Sequence, residues 1–480
     1  MQFPGQVDAV ELFDRASLRE AESVQRMVEL KPNMIGCGPR AAALLIECRG
    51  ATPESLGASI EEVTNAVVAS KIPYMDSQVI FNHDPADYKV YWDIRKGLIP
   101  MVGGARETGT SMLIEDVACP VEKLGDMTVD LIEMFQRHGY PDASLFGHAL
   151  EGNLHLVFAQ GFRTDAEVQQ YADMMQELCE IVALKYGGSL KAEHGTGRNV
   201  APFVEMEWGK KATDLMWRIK RVFDPEFMLN PGVILNDDPD IHKKSLKPSP
   251  EASSLVDRCI ECGFCESNCP SRDFSLTPRQ RITVWREINR LQKLPQRTKD
   301  EDQRMKEFLE IFEYQGKDTC AADGMCQEKC PVKINTGELI KSIRADRLNE
   351  SKSAQTLGMF MARNFNNISA AVPSFLNVVD TVHGTVGAAP LKAISSALNR
   401  ISSNLVPEWN PYMPTGARPL KDPSAFVNEG VQQTSNGIER KVVYIPTCVT
   451  RMMGPSRGDQ YQDSVHERML ALLSKAGYKV

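Results

Sequence analysis

The sequence predicts an α+β domain followed by a smaller, all-α domain built around two cofactors. Three observations lead to this prediction. Short apolar runs alternate with amphipathic helical patterns up to about residue 235, the composition turns polar and Pro-rich from Asn236 to Ser253, and seven of the 12 cysteines lie between Cys259 and Cys330. A region that can bury a core is thus followed by a linker and then by a cofactor-binding region.

Length and charge exclude several classes of protein. The 480 residues suggest about three domains, and 55 Lys plus Arg against 63 Asp plus Glu give a net charge of -8, without the basic face of a general nucleic-acid binder. The sequence contains no run of about 18 apolar residues, so it predicts no membrane span. Its first residues lack the basic and apolar segments of a secretory signal. We therefore expect a cytoplasmic protein, with peripheral association with the inner face of a membrane left open.

The first domain is predicted from two kinds of pattern. Short apolar runs predict strands at 41–48, 111–116, 143–146 and 154–159. Apolar residues at i, i+3 and i+4 predict amphipathic helices at 52–70, 87–96, 121–138 and 164–186. This order favours helices packed on one face of a sheet.

The predicted domains are 1–235, a linker at 236–253, a two-cluster domain at 254–350, a helical connecting region at 351–440 and an incomplete domain at 441–480. The connecting region is rich in Met, Phe, Ala and Val, which favours a buried helix over a membrane-surface or partner-docking face. In the last segment, Lys441–Pro446 predicts a strand and Gln462–Ala476 a helix. One strand and one helix cannot form a domain by themselves.

The first cysteine motif is a specific iron–sulfur signature. Its ligand positions and the following proline have the spacing Cys-x2-Cys-x2-Cys-x3-Cys-Pro, in which three thiolates bind one cluster and the fourth reaches the other; these residues are Cys259, Cys262, Cys265, Cys269 and Pro270. A zinc site would use paired Cys-x2-Cys units and would leave the third cysteine and the Cys-Pro pair unexplained. The motif therefore favours iron–sulfur over zinc.

A second motif matches the first except at one ligand position. It contains Cys320, Asp323, Cys326 and Cys330, with Asp323 in place of the second cysteine. Crossed ligation predicts Cys259, Cys262, Cys265 and Cys330 around one cluster, and Cys320, Cys326 and Cys269 around the other. Asp323 either supplies the fourth ligand, which would leave a labile iron or a three-iron cluster, or only lies in the turn before Gly324.

Two further motifs predict a metal or proton-transfer site. His148 and His155 lie at either end of a Gly-containing turn that leads into a strand, so both imidazoles can approach one ion. Glu193 and His194 precede two glycines that allow the backbone to approach a ligand. Two histidines and one glutamate would leave a divalent ion with open positions for a substrate.

These motifs resemble the C-terminal half of the FAD-linked oxidase family of vanillyl-alcohol-oxidase type, in particular its D-lactate and D-2-hydroxyglutarate dehydrogenases. The segments that carry the resemblance are His148–His155, Glu193–Gly197, Trp92–Gly97, Glu115–Leu124 and Asp224–Gly232. The stretch that includes both cysteine motifs resembles the α-helical ferredoxin module of succinate dehydrogenase and anaerobic glycerol-3-phosphate dehydrogenase. Together they resemble the long bacterial dehydrogenases that fuse both parts, and residues 443–450 resemble the start of a heterodisulfide-reductase-type cysteine-rich domain.

The resemblance implies an antiparallel-sheet substrate (cap) domain and a set of residue roles. His148, His155 and Glu193 would bind zinc or manganese, and His194 would be the base that accepts the proton of the 2-hydroxyl group while hydride passes to flavin N5. Arg95 would pair with the substrate carboxylate, for which Arg106 and Arg198 are weaker candidates, and Asn230 would approach the flavin. The family's FAD pyrophosphate site lies in a half that precedes this sequence, so we expect it on an N-terminal portion or a companion chain.

Two functions are compatible with this sequence. The first is the substrate and electron-transfer part of an FAD- and iron–sulfur-dependent D-2-hydroxyacid dehydrogenase of D-lactate or D-2-hydroxyglutarate type, which passes electrons through two clusters to a quinone or a carrier protein. The second is an iron–sulfur subunit that docks a flavoprotein and does no chemistry. The presence of His148, His155, Glu193 and His194 favours the first.

Overall fold

A computed structural model describes residues 7–74, 79–350, 352–402, 406–423 and 440–480. The chain divides into two compact units, residues 1–345 and residues 346–480. The first unit contains the β-sheet and both cysteine motifs, and the second is mainly helical.

The first unit is built on a five-stranded antiparallel sheet in the order β2-β1-β4-β5-β3. Its strands are β1 (Val7–Phe13), β2 (Ala43–Cys48), β3 (Ser111–Ala118), β4 (Ser144–His148) and β5 (Asn153–Gln160). The predicted antiparallel sheet and the four predicted strands are present. Strand β1 was not predicted, although it lies between β2 and β4.

The helices of the first unit agree with the four predicted amphipathic segments and add others. They are α1 (Arg15–Ala21), α2 (Gln25–Leu30), α3 (Pro53–Ala69), α4 (Pro85–Ala105), α5 (Leu124–Arg137), α6 (Asp165–Cys179), α7 (Gly197–Val200), α8 (Val204–Phe223), α9 (Pro278–Lys293), α10 (Lys299–Ile311), α11 (Met325–Lys329) and α12 (Thr336–Glu350). Helix α4 continues past its predicted end and through Pro100, and one π-helical turn at Glu180–Lys185 extends α6.

Helices cover both faces of the sheet, so the prediction of helices on one face was wrong. Side chains alternate along a strand: Leu145 and Leu156 pack with α5 and α6, whereas Phe146 and Val157 pack with α1 and α4. We call these two sides the α5 face and the α4 face. On the α4 face, helix α4 packs against the sheet through Leu98, which is fully buried.

The segment predicted as a linker, residues 236–253, packs against the first domain. His242 is buried against the rings of Tyr171 and Phe203. Ser111 on the edge strand β3 donates a hydrogen bond from Oγ to the Lys247 carbonyl at 3.0 Å. The cysteine motifs follow, packed around a small core of Val256, Ile282, Val332, Ile334 and Leu339.

The second unit contains α13 (Lys352–Arg363), α14 (Phe365–Val386), α15 (Ala388–Ile401), α16 (Cys448–Met452), α17 (Val465–Lys475) and the short antiparallel pair β6 (Pro414–Gly416) and β7 (Met453–Ser456). The helical prediction for this region agrees with α13, α14 and α15, and the predicted C-terminal helix agrees with α17.

Two predictions for the second unit were wrong. The helix expected to be buried is not buried: in the described part of residues 352–402, Leu376 is the single buried residue. The expected strand at 441–446 is reduced to an isolated bridge between Lys441 and Lys479, and two of its apolar side chains, Val443 and Ile445, are exposed. None of the described helices is long and apolar enough to cross a membrane.

Candidate active site and cluster loops

Four polar side chains occupy one end of the α4 face of the sheet. Register explains how they meet: His155 on β5 lies opposite Asp116 on β3, and His148 on β4 lies opposite Glu11 on β1. At the other end of the same face the alternating positions carry apolar residues such as Phe146. The sheet therefore presents each histidine with a cross-strand carboxylate.

Two of the predicted metal ligands, His148 and His155, direct a ring nitrogen at one oxygen of the third, Glu193. Glu193 Oε1 lies 3.2 Å from His155 Nε2 and 3.5 Å from His148 Nε2. The predicted base is beside them, because His194 Nε2 lies 3.7 Å from the same oxygen and its ring stacks on that of His155 at 5.1 Å between centroids. The sequence prediction that these four residues form one site agrees with this geometry.

Glu11 contacts the ring nitrogen of His148 that does not approach Glu193. Its Oε1 lies 2.9 Å from His148 Nδ1, which leaves Nε2 directed toward Glu193. Its Oε2 accepts a hydrogen bond of 2.6 Å from Arg95 Nε, and the Arg95 guanidinium also lies over the Phe146 ring. Arg95 thus has a buried carboxylate partner, and its predicted pairing with a substrate carboxylate stays a prediction.

Asp116 organises the other half of the site and is fully buried. It accepts hydrogen bonds from the backbone N–H groups of Glu193 and His194, at 2.6 and 2.8 Å, and from the Asn153 side chain at 2.6 Å. Its Oδ1 lies 3.5 Å from His155 Nδ1. Burial acts to raise the pKa of Asp116, but the interactions with His155, Asn153 and the two N–H groups outweigh it and hold the pKa well below its usual range.

These contacts fit a divalent metal ion. Metal-binding histidines usually direct one ring nitrogen at the ion and the other at a carboxylate, and both His148 and His155 have this arrangement. Ligand atoms of His155, Glu193, His194 and Asp116 lie within 4.8 Å of one another, a set that does not include the predicted ligand His148. Asp116 already accepts three hydrogen bonds, so it is better suited to orienting ligands than to binding the ion. The site opens onto a cavity of about 600 Å³ that His148 and Glu193 line.

The turn between β4 and β5 sets the separation of the two histidines. Gly152 ends this turn in a left-handed conformation with φ 71°, and a Cβ atom there would overlap the carbonyl oxygen of Cys119. We expect Gly152→Ala to lower the free energy of unfolding by about 2–4 kcal/mol through overlap and backbone strain. Urea denaturation checks this, with Gly125→Ala on the open surface of α5 as the matched control. Equal stability of the two variants would contradict the prediction.

The remaining predicted arginines and Asn230 lie elsewhere. Arg106 donates hydrogen bonds from Nη2 to the carbonyls of Asp257 and Cys259, at 3.1 and 2.9 Å, so it ties the end of α4 to the first cysteine loop. Arg198 is exposed. Asn230 lies in an exposed turn with φ 44°, a conformation that Asn tolerates, and its approach to a flavin stays a prediction.

Cys330 belongs to the second motif but lies close to the first cysteine loop. Crossed ligation groups it with the cysteines of that loop. Burial raises the pKa of Cys265 to about 12, and the charges of the nearby Cys259, Cys330 and Cys326 add to this effect. The Cys259 and Cys330 side chains both pack against the small core described above. The backbone N–H of Glu261 donates to Cys259 Sγ at 3.4 Å, as expected of a residue that supports a thiolate ligand.

The second cysteine loop repeats the backbone conformation of the first. Glu261 and Ala322, each two residues after the first cysteine of its motif, have φ of 60° and 52°. Gly263 and Gly324, each four residues after it, have φ of 83° and 77°. Asp323 therefore occupies the backbone position of Cys262. Its Oδ1 accepts a hydrogen bond of 3.1 Å from the N–H of Met325, a turn contact that leaves its second oxygen for another partner.

Sulfur spacing distinguishes the two kinds of metal site. Thiolates bound to one zinc ion at 2.3 Å lie about 3.8 Å apart. Within the described part of the chain, which includes all seven cysteines of the two motifs, no three of these sulfurs lie within 4.8 Å of one another. This spacing does not match a single zinc ion.

Glu11 and Asp116 are functional candidates that sequence reasoning missed. Glu11 lies on β1, the strand that was not predicted. Asp116 was part of a motif that carries the resemblance, but it was given no role. An acidic residue within a short apolar run was the available signal for both, since the surroundings Val-Glu-Leu-Phe and Leu-Ile-Glu-Asp-Val place carboxylates where a strand is buried.

Comparison with protein families agrees with both halves of the first unit. Residues 4–234 match the family model of FAD linked oxidases, C-terminal domain, and residues 255–334 match that of the 4Fe-4S dicluster domain. The chain therefore contains these two domains, and the resemblance to FAD-linked oxidases followed by a two-cluster domain is confirmed.

Curated relatives match shorter parts of the chain. Glycolate oxidase subunit GlcD of Bacillus subtilis is 32% identical over 128 residues, 26% of each chain. D-lactate dehydrogenase of Anaerostipes hadrus is 27% identical over 194 residues, 40% of this chain and 39% of the relative. D-2-hydroxyglutarate dehydrogenase of Pantoea ananatis is 34% identical over 146 residues, 30% of this chain and 14% of the relative. The chain thus matches less than half the length of each relative.

Proposed function

We propose that this chain, which contains an FAD linked oxidase C-terminal domain followed by a 4Fe-4S dicluster domain, is part of a flavin- and iron–sulfur-dependent dehydrogenase that oxidises a D-2-hydroxy acid to the 2-keto acid. The substrate is of the D-lactate or D-2-hydroxyglutarate kind, as the names of two relatives suggest. The electrons pass through two clusters to a quinone or a carrier protein.

The observation that carries the proposal is the convergence of His148, His155 and His194 on one oxygen of Glu193. A subunit that only docks a flavoprotein would not need three imidazoles with their nitrogens directed at a common point beside a cavity. A site that oxidises a 2-hydroxy acid does need such a group of imidazoles. The hydroxyl group of the substrate has to lose its proton, and its two carboxylate oxygens have to be bound.

The residues of this chain would have distinct roles. His148, His155 and Glu193 would hold a zinc or manganese ion, which when bound polarises the hydroxyl group of the substrate. His194 would accept the hydroxyl proton at Nε2, and its side chain is 42% exposed, so it is accessible from solvent. Asp116 fixes the backbone of Glu193 and His194 by accepting their N–H groups, which keeps the base in one position.

The other half of the reaction would require FAD as the hydride acceptor. Asn230 would lie near the flavin. Arg95 would contribute to substrate binding, either directly or through Glu11, which links it to the ligand His148. The two cysteine loops would then bind clusters through Cys259, Cys262, Cys265 and Cys330, and through Cys320, Cys326 and Cys269, with Asp323 as the candidate fourth ligand of the second cluster.

The proposal is tested by the metal content of the chain purified without oxygen. We expect about seven to eight irons with matching sulfide and one zinc or manganese ion per chain. His155→Ala should lose the zinc or manganese and keep the iron, whereas Cys265→Ala should lose iron and keep the other metal. A chain that holds zinc and no iron would contradict the proposal. Stoichiometric FAD in the isolated chain would contradict the assignment of FAD binding to another portion.

The docking-subunit alternative makes a different prediction. It has no role for a divalent ion at His148, His155 and Glu193, so it requires a chain that holds iron alone. Iron without zinc or manganese, together with unchanged electron transfer from flavin to cluster in the His155→Ala variant, would favour this alternative.

A further inference from the structure

The side chain of Arg281 is the largest that is fully buried in the described part of the chain, at 1% exposure. It lies on α9, between the first cysteine loop and the turn that precedes the second. Its Nη1 lies 3.6 Å from Cys269 Sγ, a hydrogen bond to sulfur. A permanent positive charge is therefore buried directly beside one of the predicted cluster ligands.

The other partners of Arg281 are neutral. Nε donates to the Gly316 carbonyl at 2.7 Å, and Nη2 donates to the hydroxyl groups of Ser271 and Thr319 at 2.8 and 3.1 Å. Among the described residues, no carboxylate forms an ion pair with this guanidinium; every Asp and Glu of both cysteine loops is described. A buried charge without a counter-charge is strongly unfavourable.

The cluster that Cys269 would bind can supply the missing negative charge. Crossed ligation assigns Cys269 to the second cluster, together with Cys320 and Cys326. A cluster bound by thiolates is anionic, and Cys269 is the ligand that touches the guanidinium. The structure thus places a cation where an anionic cluster would complete its pairing.

Arg286, one turn further along α9, provides the contrast. It is nearly as buried, at 4% exposure, and its Nη2 contacts the Cys259 carbonyl of the first loop at 3.2 Å. Unlike Arg281, it has a carboxylate partner, since Nη1 lies 3.0 Å from Glu261 Oε1. The guanidinium of Arg286 is thus paired with a carboxylate, whereas that of Arg281 is not.

We propose that Arg281 is the counter-charge of the second cluster and raises its reduction potential. Reduction adds one negative charge to the cluster, and a fixed buried cation in a region of low dielectric stabilises the reduced form more than the oxidised form. The inference rests on the proposed electron-transfer function, in which both clusters form. It gives Arg281 the role of a tuning residue that acts through Cys269.

The experiment is a potentiometric titration of the full chain, reconstituted without oxygen and followed by electron paramagnetic resonance. In Arg281→Gln, the ratio of reduced to oxidised second cluster at a fixed potential should fall at least tenfold, which equals a decrease of 59 mV for one electron. The first cluster should be unchanged. Arg281→Lys keeps the charge and should stay close to the wild type. Arg286→Gln is the matched control, and it should leave the second cluster unchanged.

Each outcome decides the inference. An unchanged second cluster in Arg281→Gln would overturn it, as would an Arg281→Lys variant whose potential falls as far as that of the glutamine variant. If Arg281→Gln does not retain the second cluster, Arg281→Lys decides: a retained cluster near the wild-type potential supports the role of the charge, and loss of the cluster overturns it. A wild-type chain without iron would instead refute the proposed function, before any variant is compared.

Discussion

Replacing His194 with alanine is expected to lower the rate constant for flavin reduction by the D-2-hydroxy acid by about 10²–10⁴-fold. The reason is positional: His194 stacks on His155, its backbone N–H is held by Asp116, and its Nε2 lies 3.7 Å from the oxygen on which the metal ligands converge. No other imidazole among the described residues shares this position without being a predicted ligand. Rapid-mixing absorbance of the flavin in the complex reconstituted with its FAD-bearing portion measures the rate.

The design of this experiment separates loss of a base from loss of structure. His138→Ala is the matched control, because His138 contacts Glu177 on the α5 side of the domain, away from the cavity. Iron and zinc or manganese contents should be unchanged in both variants. A His194→Ala rate within a few-fold of the wild type would show that His194 is not the base.

Asp116→Ala is expected to have the second large effect, on metal affinity and on stability together. It removes the acceptor of two backbone N–H groups and of the buried Asn153 side chain. We expect the affinity for the divalent ion to fall about 10–100-fold and the free energy of unfolding to fall by about 3–5 kcal/mol. Competition with a chromophoric chelator and urea denaturation measure the two quantities.

Asp116→Asn gives the matched comparison, and pH gives an independent check. Because the pKa of Asp116 is lower in the folded state than in the unfolded state, its charge stabilises the fold above the unfolded pKa of about 3.9, and this contribution is lost as the pH falls toward the folded pKa. The asparagine variant should lack that part of the acid destabilisation. Wild-type metal affinity and stability in Asp116→Ala would contradict the organising role of this residue.

The sequence predicts the short-range motifs of this protein better than its packing. The cysteine motifs and the His148–His155 turn are short-range patterns in which spacing alone limits the geometry, so their interpretation needs no tertiary information. The roles of Glu11 and Asp116 depend on which residues face each other across strands, and a shift of one residue in register would send them to the opposite face. Register cannot be derived from one sequence.

Tertiary contacts explain the other differences. Residues 236–253 have the composition of a linker, but Ser111 and the rings around His242 hold this segment against the first domain. Strand β1 was missed because Asp8 and Glu11 interrupt its apolar pattern, and its position between two partner strands outweighs this weak signal. The repeated φ values of the two cysteine loops could not be derived from the sequence, since Glu261 and Ala322 rarely adopt them.

The contacts that Arg106 makes with the carbonyls of Asp257 and Cys259 have a consequence for electron tunnelling. The rate of electron tunnelling decays exponentially with the distance between redox centres. A cluster domain on a flexible linker would therefore have a broad distribution of electron-transfer rates. Here the first cluster loop is anchored to the helix that also carries Arg95, and the intervening chain is fastened to the edge of the sheet. In the proposed dehydrogenase, the distance between the histidine site and the first cysteine loop would therefore be set by the fold.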